Sequence, residues 1–251
     1  MAATTAGGCS RGCSKRSPEM ANADGIVCAT CPVADRAVCS VLSPDDRADL
    51  ARIGHHRRYA RGETIVAAGD PNTICATLTR GAAKMSTIDR DGTERIVALV
   101  HPAGMLGQMF APAATLHVTA LTDSEACLFP RGRFEALRDS RPALAGRLLN
   151  ELGRELDESR ALIDLISKRQ ARGRVAALIL AFARAASPAP CHDETAFELP
   201  LTRGEMAQLL GITIETVSRT LTALEKGGTI RREGSHGIVV LDRDALEAFA
   251  A

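Results

Sequence analysis

Sulfur is the reactive element of this chain. Cys28, Cys31 and Cys39 follow a C-x2-C-x7-C spacing, with Pro32 stiffening the loop just after the second. Thiolates separated by two residues can reach adjacent irons of a cubane, and a third on the same loop closes another face. Three ligands leave one iron open, so a fourth must come from elsewhere. The same thiols also suit a tetrahedral zinc ion or a thiol switch without metal. The chain holds eight cysteines in all. Cys75 and Cys191 stand alone and receive no role, while Cys9 and Cys13 are spare ligands or nothing. Disulfides are the poorer reading, because the sequence predicts a cytoplasmic protein and the cytosol keeps thiols reduced. Arg11, Lys15 and Arg16 have no apolar run behind them, unlike a secretory signal. No stretch approaches the roughly 18 apolar residues of a membrane helix, so no membrane partner is expected.

A second constellation lies at residues 202–226. Thr202 and Glu205 form a capping box that opens a helix, and Met206, Leu209 and Leu210 give it an apolar face. Gly211 supplies a sharp turn. Thr213 caps a second helix running to Lys226, with Val217, Leu221 and Leu224 facing inward. This leaves Glu215, Thr216, Ser218, Arg219 and Thr222 near the outward face. A short helix, a glycine turn and a helix with polar N-terminal residues fit a helix-turn-helix. Arg219 suits a guanine edge, and Glu215 a cytosine amino group. Ser218 suits a base or a phosphate. The plain alternative is that Glu215 and Arg219, four residues apart, form a surface ion pair. Residues 229–241 read as a two-stranded wing, with Arg231, Arg232 and His236 available to phosphates. The net charge is only +1, so a DNA-binding surface requires local segregation of basic residues.

The elements that carry these groups are legible in outline. Residues 1–27 form a leader and 28–42 the cysteine loop. Ser43-Pro44 resembles an N-cap with proline at the first helical position, opening a short helix. Residues 43–141 otherwise show short apolar runs broken at Gly69-Asp70-Pro71, Arg80-Gly81, Asp91-Gly92 and Pro102 to Gly104. Such spacing predicts a β-roll or sandwich, with Asp91-Gly92 as a hairpin turn. With 45% hydrophobic but 3% aromatic residues, the core must be aliphatic. Residues 142–170 form a long helix on which Leu149, Leu152, Leu156, Ser159, Ile163 and Ile166 advance in steps of three and four. This is a heptad seam interrupted once by a polar residue. It either pairs two chains or packs one helix on its own β-roll. Helical propensity resumes at Gly173 to Ala186, a loop at Ser187 to Pro190 follows, and residues 171–251 make the last domain.

The Glu-Thr-Val-Ser-Arg run of residues 215–219, placed after a β-roll and a long helix, resembles the Crp/Fnr family of bacterial regulators. The likeness extends from Cys28 onward. Glu215, Ser218 and Arg219 match the Fnr branch, and the x7 cysteine spacing resembles its FnrL-type variant. The resemblance implies an α+β protein with a cyclic-nucleotide-binding-like β-roll, a long dimerisation helix and a C-terminal winged helix-turn-helix. It implies a homodimer on double-stranded DNA at a palindromic operator of TTGAT-like half-sites, working with RNA polymerase. Its two recognition helices would lie roughly 34 Å apart. Fnr proteins have a distant ligand where this chain has Cys127, so the resemblance implies a [4Fe–4S] cluster on Cys28, Cys31, Cys39 and Cys127.

Other effectors fit less well. A cyclic nucleotide's buried phosphate needs a cation, usually arginine. There is no Lys or Arg between Arg95 and Arg131, and the expected pocket falls on Gly107-Gln108 and Ala114-Thr115. Haem would need His101 or His117, each better read as an ordinary histidine, and nitric oxide remains an alternative signal. An enzyme or a cluster-bearing electron carrier is a further alternative, but neither nucleophile–base spacing nor a phosphate loop is present. The expected mechanism is that an intact cluster favours the dimerising arrangement of residues 149–166 and oxygen weakens it.

Overall fold

In the computed structural model, residues 24–25, 28–108, 110–168, 170–186 and 195–251 are described. Cys9, Cys13, Cys191 and the loop expected at Ser187 to Pro190 lie outside them. Helix α1 (Pro44–Ile53) begins as the sequence predicts. Ser43 accepts from the Asp46 backbone N–H, and the first turn carries Asp45 and Asp46, whose charge suits the helix N-terminus.

The β-roll is two facing sheets. One has the order β1 (Asp24–Gly25), β2 (His55–Tyr59), β9 (Ser124–Pro130), β4 (Ile74–Arg80), β7 (Met105–Leu106). The other runs β3 (Thr64–Val66), β8 (His117–Ala120), β5 (Ala83–Ile88), β6 (Glu94–Val100). The β5–β6 hairpin turns at Asp91-Gly92, with Gly92 at φ 83°. Between the sheets lie Tyr59, Leu78, Val100, Leu106, Val118 and Leu128. The core is therefore nearly all aliphatic, as the composition requires.

Gly81 is where backbone freedom decides the fold. Its φ is 86°, and an added Cβ would lie 2.6 Å from the Asp123 carbonyl oxygen and against Ser124. Gly81→Ala is expected to cost roughly 2 to 3 kcal/mol, read as a lowered Tm. An unchanged Tm would show that the turn relaxes.

Helix α2 (Arg131–Ser140) leads into α3 (Pro142–Ser167), 26 residues long, and α4 (Ala171–Ala186) follows. Leu144, Leu148, Glu151 and Leu165 face the protein. The opposite stripe stays in solvent: Leu149 is 70% exposed, Leu156 51% and Ile163 60%. Leu152 and Ser159 lie on the same exposed face. Ile166 departs from the stripe, since it is half-buried against the core of the last domain.

That last domain sets α4, α5 (Arg203–Leu210), α6 (Ile214–Lys226) and α7 (Arg243–Ala250) around a sheet of order β10 (Ala196–Glu198), β12 (Gly237–Val240), β11 (Ile230–Glu233). The sequence predicted two wing strands. The third, β10, pairs with β12 from about forty residues upstream. The domain's core, with Ile179, Met206, Leu210 and Leu224, is continuous with Ala82, Ile96 and Leu121 of the β-roll. Arg61 bridges to Glu205 at 3.2 Å across the same junction. Among the described residues no helix is long and apolar enough to cross a membrane.

Candidate cysteine site and nucleic-acid interface

The loop that carries Cys28, Cys31 and Cys39 lies against the β-roll near Cys127. Cys28 and Cys39 stand on short 3-10 turns (Cys28–Thr30 and Val38–Val41). Between them Val33 and Ala37 are buried and pack with Ala103 against Cys31 and Cys39. Ala103 turns the chain at φ 81°. Cys127 arrives on β9, buried beside Cys75, Met105 and Phe129.

The thiols sense one another. Burial pushes the Cys127 thiol up to about 12, and neighbouring Cys31, Cys39 and Cys28 add to the rise. Burial also raises Cys39, again reinforced by Cys31 and Cys28, and the Arg47 guanidinium opposes it. Cys28 is raised by burial and then by Cys31, with Arg47 opposing. The loop thiols thus act on Cys127 across the gap between loop and strand, and a cationic centre would reverse that penalty. Cys75 is buried and pushed up to about 12, chiefly by burial. The four-cysteine set does not draw on it.

Two nitrogen donors border this site, and the sequence did not single out either. Arg47 on α1 donates from Nη2 to the Ser40 carbonyl at 2.7 Å, while its buried Nε finds no acceptor. The Cys28 thiol donates to the Arg47 carbonyl at 3.8 Å. His56 on β2 is paired in register with Cys127 on β9, and its Nε2 lies 3.1 Å from Cys127 Sγ. A donor set of four soft thiols, with the Arg47 guanidinium and the His56 imidazole beside it, suits the cationic core of an iron–sulfur group. Among the described residues no three His, Cys, Asp or Glu side chains crowd closely enough to enclose a single metal ion.

The site is joined to α3. Arg147 donates to the Arg36 carbonyl of the cysteine loop at 2.6 Å and contacts Glu151 at 3.4 Å. Glu151 is buried and is held from the other side by Arg154, which also pairs with Glu158. Arg141 at the foot of α3 reaches Asp46 of α1 at 2.7 Å. Arg147 was missed in the sequence because a lone arginine on a helix carries no signal of a carbonyl over a hundred residues away.

The positions expected for a cyclic nucleotide are engaged internally. Gln108 Oε1 accepts from the Thr115 backbone N–H at 2.9 Å and from its hydroxyl at 2.6 Å. The two histidines considered for haem are also occupied. His117 Nδ1 accepts from the Ala68 N–H at 3.3 Å. His101 is packed edge-on to Phe182, and burial holds its pKa below the usual value.

The helix-turn-helix is built as its residues predict. Thr202 Oγ1 accepts from the Glu205 N–H at 3.2 Å, and Glu205 accepts from the Thr202 N–H at 2.7 Å. Gly211 adopts φ 62°, a left-handed cap, and Thr213 accepts from the Thr216 N–H at 3.3 Å. Val217, Leu221 and Leu224 are buried. Glu215 and Arg219 are exposed, and Thr216 and Ser218 half-exposed, along one side of α6. Arg219 donates to Thr216 Oγ1 at 3.4 Å rather than pairing with Glu215. Glu215 is held below the usual carboxylate range first by its own backbone N–H and then by the Thr213 hydroxyl. Arg203, at the start of α5, reaches Ser218 Oγ at 3.5 Å and joins this face. Its only signal was a basic residue placed directly after a helix cap.

The wing is more self-contained than expected. Arg231 pairs with Glu233 at 2.8 Å, Arg232 with Glu225, and His236 Nδ1 lies 3.0 Å from the Leu199 carbonyl. These three side chains are engaged within the domain.

Comparison with known proteins agrees with this architecture. Residues 173–249 match the Crp-like helix-turn-helix domain and residues 56–141 the cyclic nucleotide-binding domain. A probable transcriptional activator of Rhizobium leguminosarum bv. viciae is 36% identical, covering 88% of this chain and 92% of its own length. The transcriptional activator protein FnrL of Cereibacter sphaeroides is 34% identical, covering 86% and 88%. The solved structure of FixK2 from Bradyrhizobium japonicum is 26% identical and superposes with a TM-score of 0.72, covering 79% of this chain and 98% of that one.

Proposed function

The chain belongs to the Crp/Fnr family of transcription regulators, whose members bind DNA and are not enzymes, and from that premise we propose an oxygen-responsive, dimeric member. Cys28, Cys31, Cys39 and Cys127 hold a [4Fe–4S] cluster. One observation carries this reading: the loop cysteines lie near enough to Cys127 on β9 to raise its thiol, Cys39 packs against the cluster that holds it, and His56 Nε2 stands 3.1 Å from its sulfur. A zinc ion needs its sulfurs about 2.3 Å from one centre, whereas a cubane spreads its ligands over four irons. When bound, the cluster supplies an oxidisable inorganic core that responds to oxygen.

The protein's own residues turn that response into a change of shape. The four thiolates tie residues 28–39 to β9. Arg147 and Glu151 pass the position of the loop to α3. The exposed stripe of Leu149, Leu152, Leu156 and Ile163 pairs with the same stripe of a second copy, and Ile166 anchors the stripe's end to the DNA-binding domain. A group bound only by the pairing-competent state shifts the equilibrium toward it by its differential affinity. In the dimer, Arg219 and Glu215 read bases of a palindromic, TTGAT-like operator, and Ser218, Thr216 and Arg203 position the helix. RNA polymerase is the expected partner at the promoter. A cyclic nucleotide is not the proposed effector, since no Lys or Arg lies between Arg95 and Arg131 to hold its phosphate.

Two measurements test this reading. The absorption spectrum of anaerobically purified protein separates a broad iron–sulfur shoulder from a sharp haem band, and zinc absorbs at neither. Ser159 is the polar break in the stripe, its hydroxyl turned back onto the Glu155 carbonyl at 2.9 Å. Ser159→Leu is expected to give a dimer that binds operator in air. Oxygen sensitivity equal to wild type would remove Ser159 as the weak point.

A further inference from the structure

We propose that Arg47 and His56 are positioning residues of the cysteine site, donating N–H groups toward its sulfur and setting how readily the bound group accepts an electron. This rests on the cluster reading above. Arg47 brings a guanidinium beside Cys28 and Cys39, with one N–H anchored on Ser40 and a buried Nε that has no acceptor. His56 stands across the β2–β9 ladder from Cys127, with Nε2 at 3.1 Å from the sulfur. The two donors approach from different elements. Arg47 acts electrostatically on Cys28 and Cys39 of the loop, and His56 contacts Cys127 of the strand.

The cost of an unmade hydrogen bond explains why the Arg47 Nε matters. A buried donor without a partner costs about 1 to 3 kcal/mol, so a sulfur acceptor beside it satisfies the arginine as well as the site. Gathering four thiolates concentrates negative charge, and adding an electron increases it. N–H donors to sulfur and a nearby guanidinium offset that charge and favour the reduced form, which is how outer groups tune such centres. His56 also contacts the Cys127 sulfur from β2, the strand that lies between β9 and the N-terminal segment at Asp24–Gly25.

The test is the midpoint potential of the full-length protein, purified anaerobically, with iron measured on each sample. His56→Leu and Arg47→Gln are expected to retain iron and shift the oxidised-to-reduced ratio about tenfold toward the oxidised form at a fixed poise. For a one-electron couple that is about 59 mV. His56→Gln keeps an N–H donor and is expected to recover most of the shift, as is Arg47→Lys, which keeps the charge. Retained iron with an unchanged potential in both His56→Leu and Arg47→Gln overturns the proposal. Loss of iron in His56→Leu, with recovery in His56→Cys, overturns it by making His56 a ligand. Wild-type protein without iron overturns the underlying cluster reading and is told apart by the metal analysis alone.

Discussion

Cys127→Ser protein purified without oxygen is expected to carry at most a trace of iron, against about four irons and four acid-labile sulfides per wild-type chain. Cys127 is the ligand that the loop cannot supply, since Cys28, Cys31 and Cys39 all lie within residues 28–42. Without it the loop's three thiols lose their anchor on β9, and a serine hydroxyl is a hard, poor substitute for a soft thiolate. Because Cys127 is buried in an apolar cluster with Phe129 and Met105, a hydroxyl there costs some stability. Cys127→Ala controls for that: it suits the apolar surroundings and is expected to lose iron equally. Both variants should keep the far-ultraviolet signature of the fold. Full iron in both would remove Cys127 from the ligand set. One zinc and no iron in wild type would leave the DNA-binding half of the reading in place and overturn the oxygen-sensing half.

Arg219→Ala is expected to weaken operator binding by about 1 to 3 kcal/mol, roughly 5- to 150-fold, with little loss on unrelated DNA. The side chain is exposed on α6 and its hydrogen bond to Thr216 is long, at 3.4 Å. Its removal therefore leaves the fold nearly untouched, and Tm should stay within the range of a surface substitution. Competition titrations on operator and scrambled duplexes at one salt concentration separate the two effects. Equal losses on both duplexes would make Arg219 a phosphate contact and move base reading elsewhere on the helix.

The parts of this molecule that were legible in the sequence are those written by local chemistry. Thr202 with Glu205, Gly211 and Thr213 each act within four residues, so the helix-turn-helix was readable to its caps. Asp91-Gly92 marked its hairpin for the same reason. Strand β2, His-His-Arg-Arg-Tyr, has no apolar alternation, because it gains its place from β9 rather than from a buried face of its own. Strand β10 is three residues long and exists only through β12. Helix α2 carries a glycine and little apolar periodicity. At the site, cysteine spacing announced the loop ligands, and Cys127 followed from a family likeness. Arg47 and His56 were invisible, since their relation to the thiols arises from chain crossings and from a strand register that spans 71 residues. The wing arginines were legible as charge but not as internally paired charge, because Glu225 and Glu233 meet them only in three dimensions.

The continuous core beneath the β-roll and the winged domain bears on how such a regulator can be rebuilt. Ile96, Ala82 and Leu121 are as much part of the reader's interior as of the sensor's. A DNA-binding half cut away at residue 171 would expose that apolar patch and lose the Arg61 brace on Glu205. Modularity in this chain therefore lies at the level of faces: a graft of this reader onto another sensor must bring with it a surface matching that of β6, Ala82 and Leu121. Recombination that respects the linear domain boundary but ignores that shared interior would yield sticky, poorly coupled chimeras.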